Sequence, residues 1–307
     1  MVFVKRIETV TYQRKPTKLI IYSSTDAMDM VESLKGMPNK HNYRVDDYDI
    51  FSKNSFDAKW AGVKDKEHAQ NMIRHGTENT KLVESVKSYI DEVNGGVKVR
   101  KYREIDYRPF GCTPCIPRVL SGNPNCMILP KKSPVRSRII KILVDCAVSW
   151  YFSPEDIRRV GSTIARAICD IEQAGYRVRL YAAHVTHNRD TPSEILCTHL
   201  MMKGENEPVN LKRMLYPLAE VSFLRILGFT VINRAEEWNT SNELYPILED
   251  TDSKEKKELY ETINGPDTIV LRLQKLGNEL RKGDKDDVKK LVKEIFASDD
   301  ELIQGGS

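Results

Sequence analysis

Three cysteines and two histidines stand at spacings that could do chemistry. Cys112 and Cys115 form C-x2-C, Cys126 follows them, and His184 and His187 form H-x2-H. Thiolate and imidazole suit tetrahedral zinc, but a single C-x2-C lacks the matching second half of a structural zinc site, and only one cysteine pair has ligand spacing. The same C-T-P-C run has redox spacing without the thioredoxin-like strand and helix in which that motif operates. The expectation is therefore free, alkylatable thiols without stoichiometric zinc, with Cys112, Cys115 and Cys126 as the ligands if a site exists.

A second set is defined by charge. Residues 97–141 hold eleven basic side chains, Lys98, Arg100, Lys101, Arg103, Arg108, Arg118, Lys131, Lys132, Arg136, Arg138 and Lys141, against Glu104 and Asp106 alone. Tyr102, Tyr107 and Phe110 are interleaved with them. Cations neutralise phosphates and aromatic rings stack on bases, which are the two contacts that sequence-tolerant nucleic-acid binding needs. Ordinary solvated charge is the alternative, since a basic stripe becomes a footprint only if folding gathers it on one face. The opposite bias follows later: residues 235–307 carry eighteen acidic and eleven basic side chains. No G-x-S-x-G elbow, phosphate-binding Walker loop or H-E-x-x-H helix is present, so nucleophilic and zinc-protease chemistry find no support. His68, His75 and His199 read as surface or packed histidines, and Trp60, Trp150 and Trp238 as aromatic seals at segment boundaries.

The elements that must position these residues follow from length and patterning. The chain has 307 residues, 40 % apolar and 30 % charged, enough for a full core and too apolar for a disordered chain. No window approaches eighteen apolar residues, and the first twenty lack a signal-peptide pattern, so a reduced, cytoplasmic setting without membrane insertion is expected. Residues 1–96 read as an α+β region: strands in VFVKRIETVTY and KLIIYSS, a helix capped by Ser24 or Thr25, then two helices separated by Gly76. Residues 97–137 read as a basic connector rich in Pro and Gly. Residues 138–304 read as an α/β sandwich. An apolar strand from Ile139 precedes a helix with Ser153 as N-cap and Pro154 at its first position, and YRVRLYAAHV returns as a strand, completing a βαβ unit. EILCTHLMM and DTIVLRL are further strands, LKRMLYPLAEVSFLRIL is a helix kinked at Pro217, and 236–264 is a charged excursion.

The strand ending at Asp145, the D-C-A-V-S turn after it (Asp145, Ala147, Ser149) and the capped amphipathic helix resemble the von Willebrand factor A fold. In that family the strand ends in D-x-S-x-S, whose carboxylate and hydroxyls ligate a divalent cation. The resemblance implies a Rossmann-like sandwich with a metal site degenerate at Ala147. By their place at the carboxyl ends of the strands, Asp145 and Ser149, with Asp190 as a further candidate, could hold Mg²⁺; the alternative is that Asp145 caps the turn through backbone N–H groups. The order of segments, Trp60-x-Gly62-Val63, then Gly76, then G-N-P-x-C-M from Gly122 to Met127, is also similar to bacteriophage proteins of this size. Taken together, these features lead us to expect a non-enzymatic phage-like binding protein. It would recognise nucleic acid through Arg100, Lys101, Arg103, Arg108, Lys131, Lys132, Arg136, Arg138 and Lys141, or a phage or host protein through the A-like domain. The alternatives are an assembly or anti-defence factor that binds protein alone, and a metal-dependent hydrolase using Asp145.

Overall fold

The computed structural model describes residues 3–38, 50–51, 58–59, 61–96, 105–111, 113–130, 139–149, 152–188, 193–235, 244–246, 253–280 and 282–304. They fall into two units, Met1–Ile90 with Ile139–Ser307, and Asp91–Arg138.

Two apolar runs at the start of the larger unit fold back on each other as β1 (Val4–Tyr12) and β2 (Lys15–Ser24). Their turn residues, Gln13 and Arg14, have φ of 50° and 59°. Positive φ at both positions is the turn geometry that matches strand twist in a two-residue hairpin. α1 (Ala27–Lys35) follows. Its cap is Asp26, whose carboxylate accepts from the Met28 and Asp29 N–H groups, rather than Ser24 or Thr25. Ser24 is held in the strand end, where its hydroxyl donates to the Asp26 carbonyl. α2 (Lys66–His75) and α3 (Thr80–Gly96) come next, separated by Gly76 as expected.

The smaller unit contains β3 (Ile105–Arg108), β4 (Thr113–Pro114), the short helix α4 (Ile116–Leu120) and β5 (Met127–Pro130). The strands form an antiparallel sheet in the order β3-β5-β4.

The chain then enters β6 (Ile139–Asp145), α5 (Pro154–Gln173), β7 (Arg177–Asn188) and β8 (Glu194–Lys203). Next are α6 (Leu211–Ala219), a π-helical turn (Phe223–Gly228), α7 (Phe229–Arg234) and β9 (Leu244–Pro246). α8 (Ser253–Asn264), β10 (Thr268–Arg272), α9 (Leu273–Glu279) and α10 (Lys285–Gln304) complete the unit. The main sheet has the order β1-β2-β8-β7-β6-β10, with β9 on β7. β6 is parallel to β7 and β10, β7 is antiparallel to β8, and β8 is parallel to β2.

This topology corrects two expectations. Residues 1–96 do not stand apart as a separate region, because β2 pairs with β8 from Lys18↔Glu194 to Ser24↔Leu200 and the hairpin extends the main sheet. Its apolar residues Leu19, Ile20, Ile21 and Tyr22 are fully enclosed, and one hairpin alone could not cover both of its faces. Nor is 236–264 wholly an excursion: Leu259, Tyr260 and Ile263 of α8 join Leu19, Ile21, Leu143, Val185 and Cys197 in one core cluster. The charged side chains of α8 mask three buried ones at helical spacing.

On α5 the apolar stripe is buried as its period requires, with Ile157, Val160, Ile164, Ile168 and Ile171 all enclosed. Pro217 stays inside α6, and the break falls at Glu220, whose backbone is extended. The helical stretches before and after it meet at 69°. No single helix among the described residues is long and apolar enough to cross a membrane.

Close packing of α5 on α6 rests on Gly161, where an added Cβ would lie 2.1 Å from the Leu218 carbonyl oxygen. We expect Gly161→Ala to force the helices apart and cost about 1–3 kcal/mol. Gly36→Ala, at a position with nothing within 4 Å, should change stability by less than about 0.5 kcal/mol. Urea unfolding of the two variants measures both.

Candidate functional site

Asp145 ends β6 and is 2 % exposed. One carboxylate oxygen accepts from the Ala147 N–H at 3.1 Å, and the other from the Tyr260 hydroxyl at 2.6 Å. The Val185 N–H also donates to it, and Arg272 lies opposite in register on β10. Burial raises its pKa, an effect opposed by these donors and by Arg272. The same burial pushes the Tyr260 phenol well up, with the Asp145 charge adding to it. Ser149 turns elsewhere: its N–H and hydroxyl both reach Gln274 Oε1 on α9 at 3.1 Å.

These residues do not fit the divalent cation that the resemblance implies. The turn lacks an oxygen at Ala147, both Asp145 oxygens hold protein donors, and the Ser149 hydroxyl is bonded to a different element. A hard cation needs several converging oxygens. Asp190 lies outside the described residues.

The zinc candidates are dispersed. His184 and His187 point to opposite faces of β7, because side chains alternate along a strand and residues three apart cannot share a face. His184 packs against Gly228 of the π-helical turn, where an added Cβ would lie 2.5 Å from Nδ1. The His187 ring lies 5.8 Å from that of Tyr12 on the other face. Cys115 and Cys126 are brought together in the smaller unit, with the Cys115 N–H donating to the Cys126 carbonyl at 2.7 Å. Cys112 lies outside the described residues. Among those described, no group of three or more His, Cys, Asp or Glu side chains could hold a metal.

Of the basic belt, Arg100, Lys101, Arg103, Lys131, Lys132, Arg136 and Arg138 lie outside the described residues, as do Tyr102 and the three tryptophans. Lys141 belongs to β6 of the larger unit and donates to the Pro266 carbonyl at 3.0 Å. Arg108 is exposed at the end of β3. Arg118 of α4 lies 3.8 Å over the Tyr107 ring, a cation–π stack, and also donates to the Asn125 carbonyl. Phe110 is 63 % exposed.

Sequence reasoning missed the apolar face of α4, where Ile116, Val119 and Leu120 are 59 %, 45 % and 82 % exposed. They stand at i, i+3 and i+4 of α4, a spacing that marks one helix face and was readable in IPRVL. It also missed the Tyr260 and Gln274 partners. For Tyr260 the signal was the helical spacing of Leu259, Tyr260 and Ile263.

The fold and these residues define a mixed α/β protein with an inserted basic unit. Over residues 11–293 the chain matches a family described as a domain of unknown function, DUF7192, and it belongs to that family. No curated protein and no solved structure matches it.

Two outcomes follow from the buried groups. Tyr260→Phe leaves an Asp145 oxygen without its donor inside the core, and should cost about 2–3 kcal/mol in urea unfolding while the fold persists. His184 and His199 are both lowered to about 4, chiefly by burial. The folded state therefore resists a proton that the unfolded chain takes up near pH 6.5. Their contribution to stability is complete above that pH and is lost as pH falls towards 4, up to roughly 3 kcal/mol for each histidine. Stability of the parent should fall across this window, and His184→Gln should flatten the slope measured by urea unfolding.

Proposed function

We propose that the protein is a binding protein whose smaller unit engages single-stranded nucleic acid. The observation that carries this reading is the aromatic and cationic surface of that unit: exposed Phe110, the Arg118–Tyr107 stack and Arg108. It lies within the stretch of eleven basic and two acidic side chains. Arg118 is oriented by its stack on Tyr107 and its donation to the Asn125 carbonyl, so its charge is presented from the short helix α4 in a defined direction. Phe110 offers a ring face to a base, and the surrounding cations offer counterion release along the backbone.

The larger unit provides an α/β scaffold, for which we propose a von Willebrand factor A-like ancestry. Support comes from the βαβ unit of β6, α5 and β7 and from the Asp145 turn at the carboxyl end of β6. In this reading Asp145 serves the turn and the core, and the protein acts by recognition within a phage-type system.

A second reading is favoured by the apolar face of α4. Ile116, Val119 and Leu120 would dock a protein partner, since contiguous exposed apolar side chains mark interaction sites.

Fluorescence anisotropy with single-stranded RNA and DNA separates the two. Nucleic-acid binding requires affinity that falls steeply with salt. Phe110→Ala should weaken it about tenfold, and Arg108→Glu with Arg118→Glu should also flatten the salt slope. Absence of any complex at low salt refutes this reading. Loss of a nuclease-resistant protein partner on Leu120→Ser would establish the other.

A further inference from the structure

The larger unit has a cavity of about 250 Å³ outside the carboxyl ends of the parallel strands β2 and β8. Open α/β sheets place ligands outside the carboxyl ends of their strands. The cavity floor is apolar: Leu200 and Met202 of β8, Ile73 of α2 and Tyr216 of α6 line it, each no more than 5 % exposed.

Its rim is cationic: Arg74 and Arg213 line it together with a single carboxylate, Asp26. Asp26 is already engaged. One of its oxygens caps α1 through the Met28 N–H at 2.7 Å, and the other faces Arg213 at 3.8 Å. Arg213 also donates to the Thr25 carbonyl, which fixes its guanidinium over the strand ends. Arg74 is exposed and has neither hydrogen bond nor ion pair with any described residue. The net charge left to meet a ligand is therefore positive.

The rim is also held rigidly. Gly76 has φ of 84°, and an added Cβ there would lie 2.4 Å from the Lys212 carbonyl. The Thr77 N–H donates to the same carbonyl at 3.0 Å. This pins the end of α2, which carries Arg74, to the first turn of α6, which carries Arg213. Only glycine allows both the positive φ and the close approach.

We propose that this cavity binds a small organic acid, with its apolar body on Leu200, Met202, Ile73 and Tyr216 and its carboxylate or phosphate between Arg74 and Arg213. A cavity of about 150 Å³ accommodates benzene, so this one takes a body and acid group of about ten non-hydrogen atoms. The lining as a whole is more polar than apolar, so the charged rim, with Asn210 and His75 beside it, sets the orientation of a ligand and the four apolar side chains offer its body a limited contact.

The test is a titration of the full chain, labelled at methionine methyl groups, with phenyl phosphate, benzoate, benzamide and inorganic phosphate. The Met202 signal, assigned through Met202→Leu, should shift saturably with phenyl phosphate and benzoate at a Kd of about 1 mM or tighter. The tighter of the two identifies the acid group. Benzamide, which lacks the charge, and inorganic phosphate, which lacks the apolar body, should bind at least about tenfold more weakly. Arg74→Gln should weaken both acids about tenfold with at most a small fall in Tm, because Arg74 contributes to the fold only through its charge in the last turn of α2. Benzamide binding as tightly as benzoate would overturn the proposal. So would affinities for the acids unaltered by Arg74→Gln, or a Met202 signal indifferent to all four probes at about 10 mM.

Discussion

The larger unit depends on β8 having both edges paired and both faces covered. Nine of its ten residues are buried, Met201 being the exception. Backbone N–H and C=O groups so enclosed must find protein partners, since water cannot reach them. β7 supplies one edge by an antiparallel return. The other edge is supplied by β2, from the far amino-terminal end of the chain, in parallel register. The remainder of the unit follows from that pairing. β1 shields the outer edge of β2, and α8 covers one face across Leu19, Ile21, Leu143 and Val185. α8 also closes the hairpin, because Glu255 accepts from the Gln13 and Arg14 N–H groups of its turn at 2.9 Å.

A sheet enclosed this thoroughly leaves its polar groups with structural duties. Lys203, at the end of β8, is 3 % exposed and lies 2.6 Å from Glu172, and it also donates to the Val178 and Gly204 carbonyls. Glu220, at the break after α6, accepts from the Thr77 hydroxyl at 2.5 Å and faces Arg158. Arg234 closes the carboxyl end of α1 by donating to the Leu34, Lys35 and Met37 carbonyls. Asp145 with Tyr260 belongs to this class. Such networks are costly to interrupt but offer nothing to a diffusing substrate. Groups that remain available to a ligand lie outside them: Phe110 and the face of α4 in the smaller unit, and Arg74 at the strand ends.

Much of the fold was legible in local pattern. α5 could be read from Ser153, Pro154 and a stripe of period 3.6, and β6, β7 and β8 from β-branched runs, because each signal is carried by residues close together in the chain. What escaped was non-local. Nothing near Leu19–Tyr22 says that its partner is Ile195–Thr198, so the hairpin read as a separate region. α8 read as excursion because its surface is charged, and α9 went unread although Leu273 and Leu276 are buried. For the site, Asp145 was found by its place at a strand end. Its partners Tyr260 and Val185 come from other elements, and the H-x2-H pair misled because spacing on a strand has the wrong parity for chelation. The cavity residues Arg74 and Arg213 carry no motif, and only the approach of α2 to α6 brings them together.

Because each strand closes an edge of the other, β2 and β8 should open and close as one element. Native-state hydrogen exchange of their amides across a range of denaturant measures this directly. The Ile20–Tyr22 and Leu196–Thr198 amides should exchange with one opening free energy and one denaturant dependence, equal to those of global unfolding. Exchange of Ile20–Tyr22 through a smaller opening while Leu196–Thr198 stays protected would contradict it, and would return the amino-terminal hairpin to the status of an independent appendage.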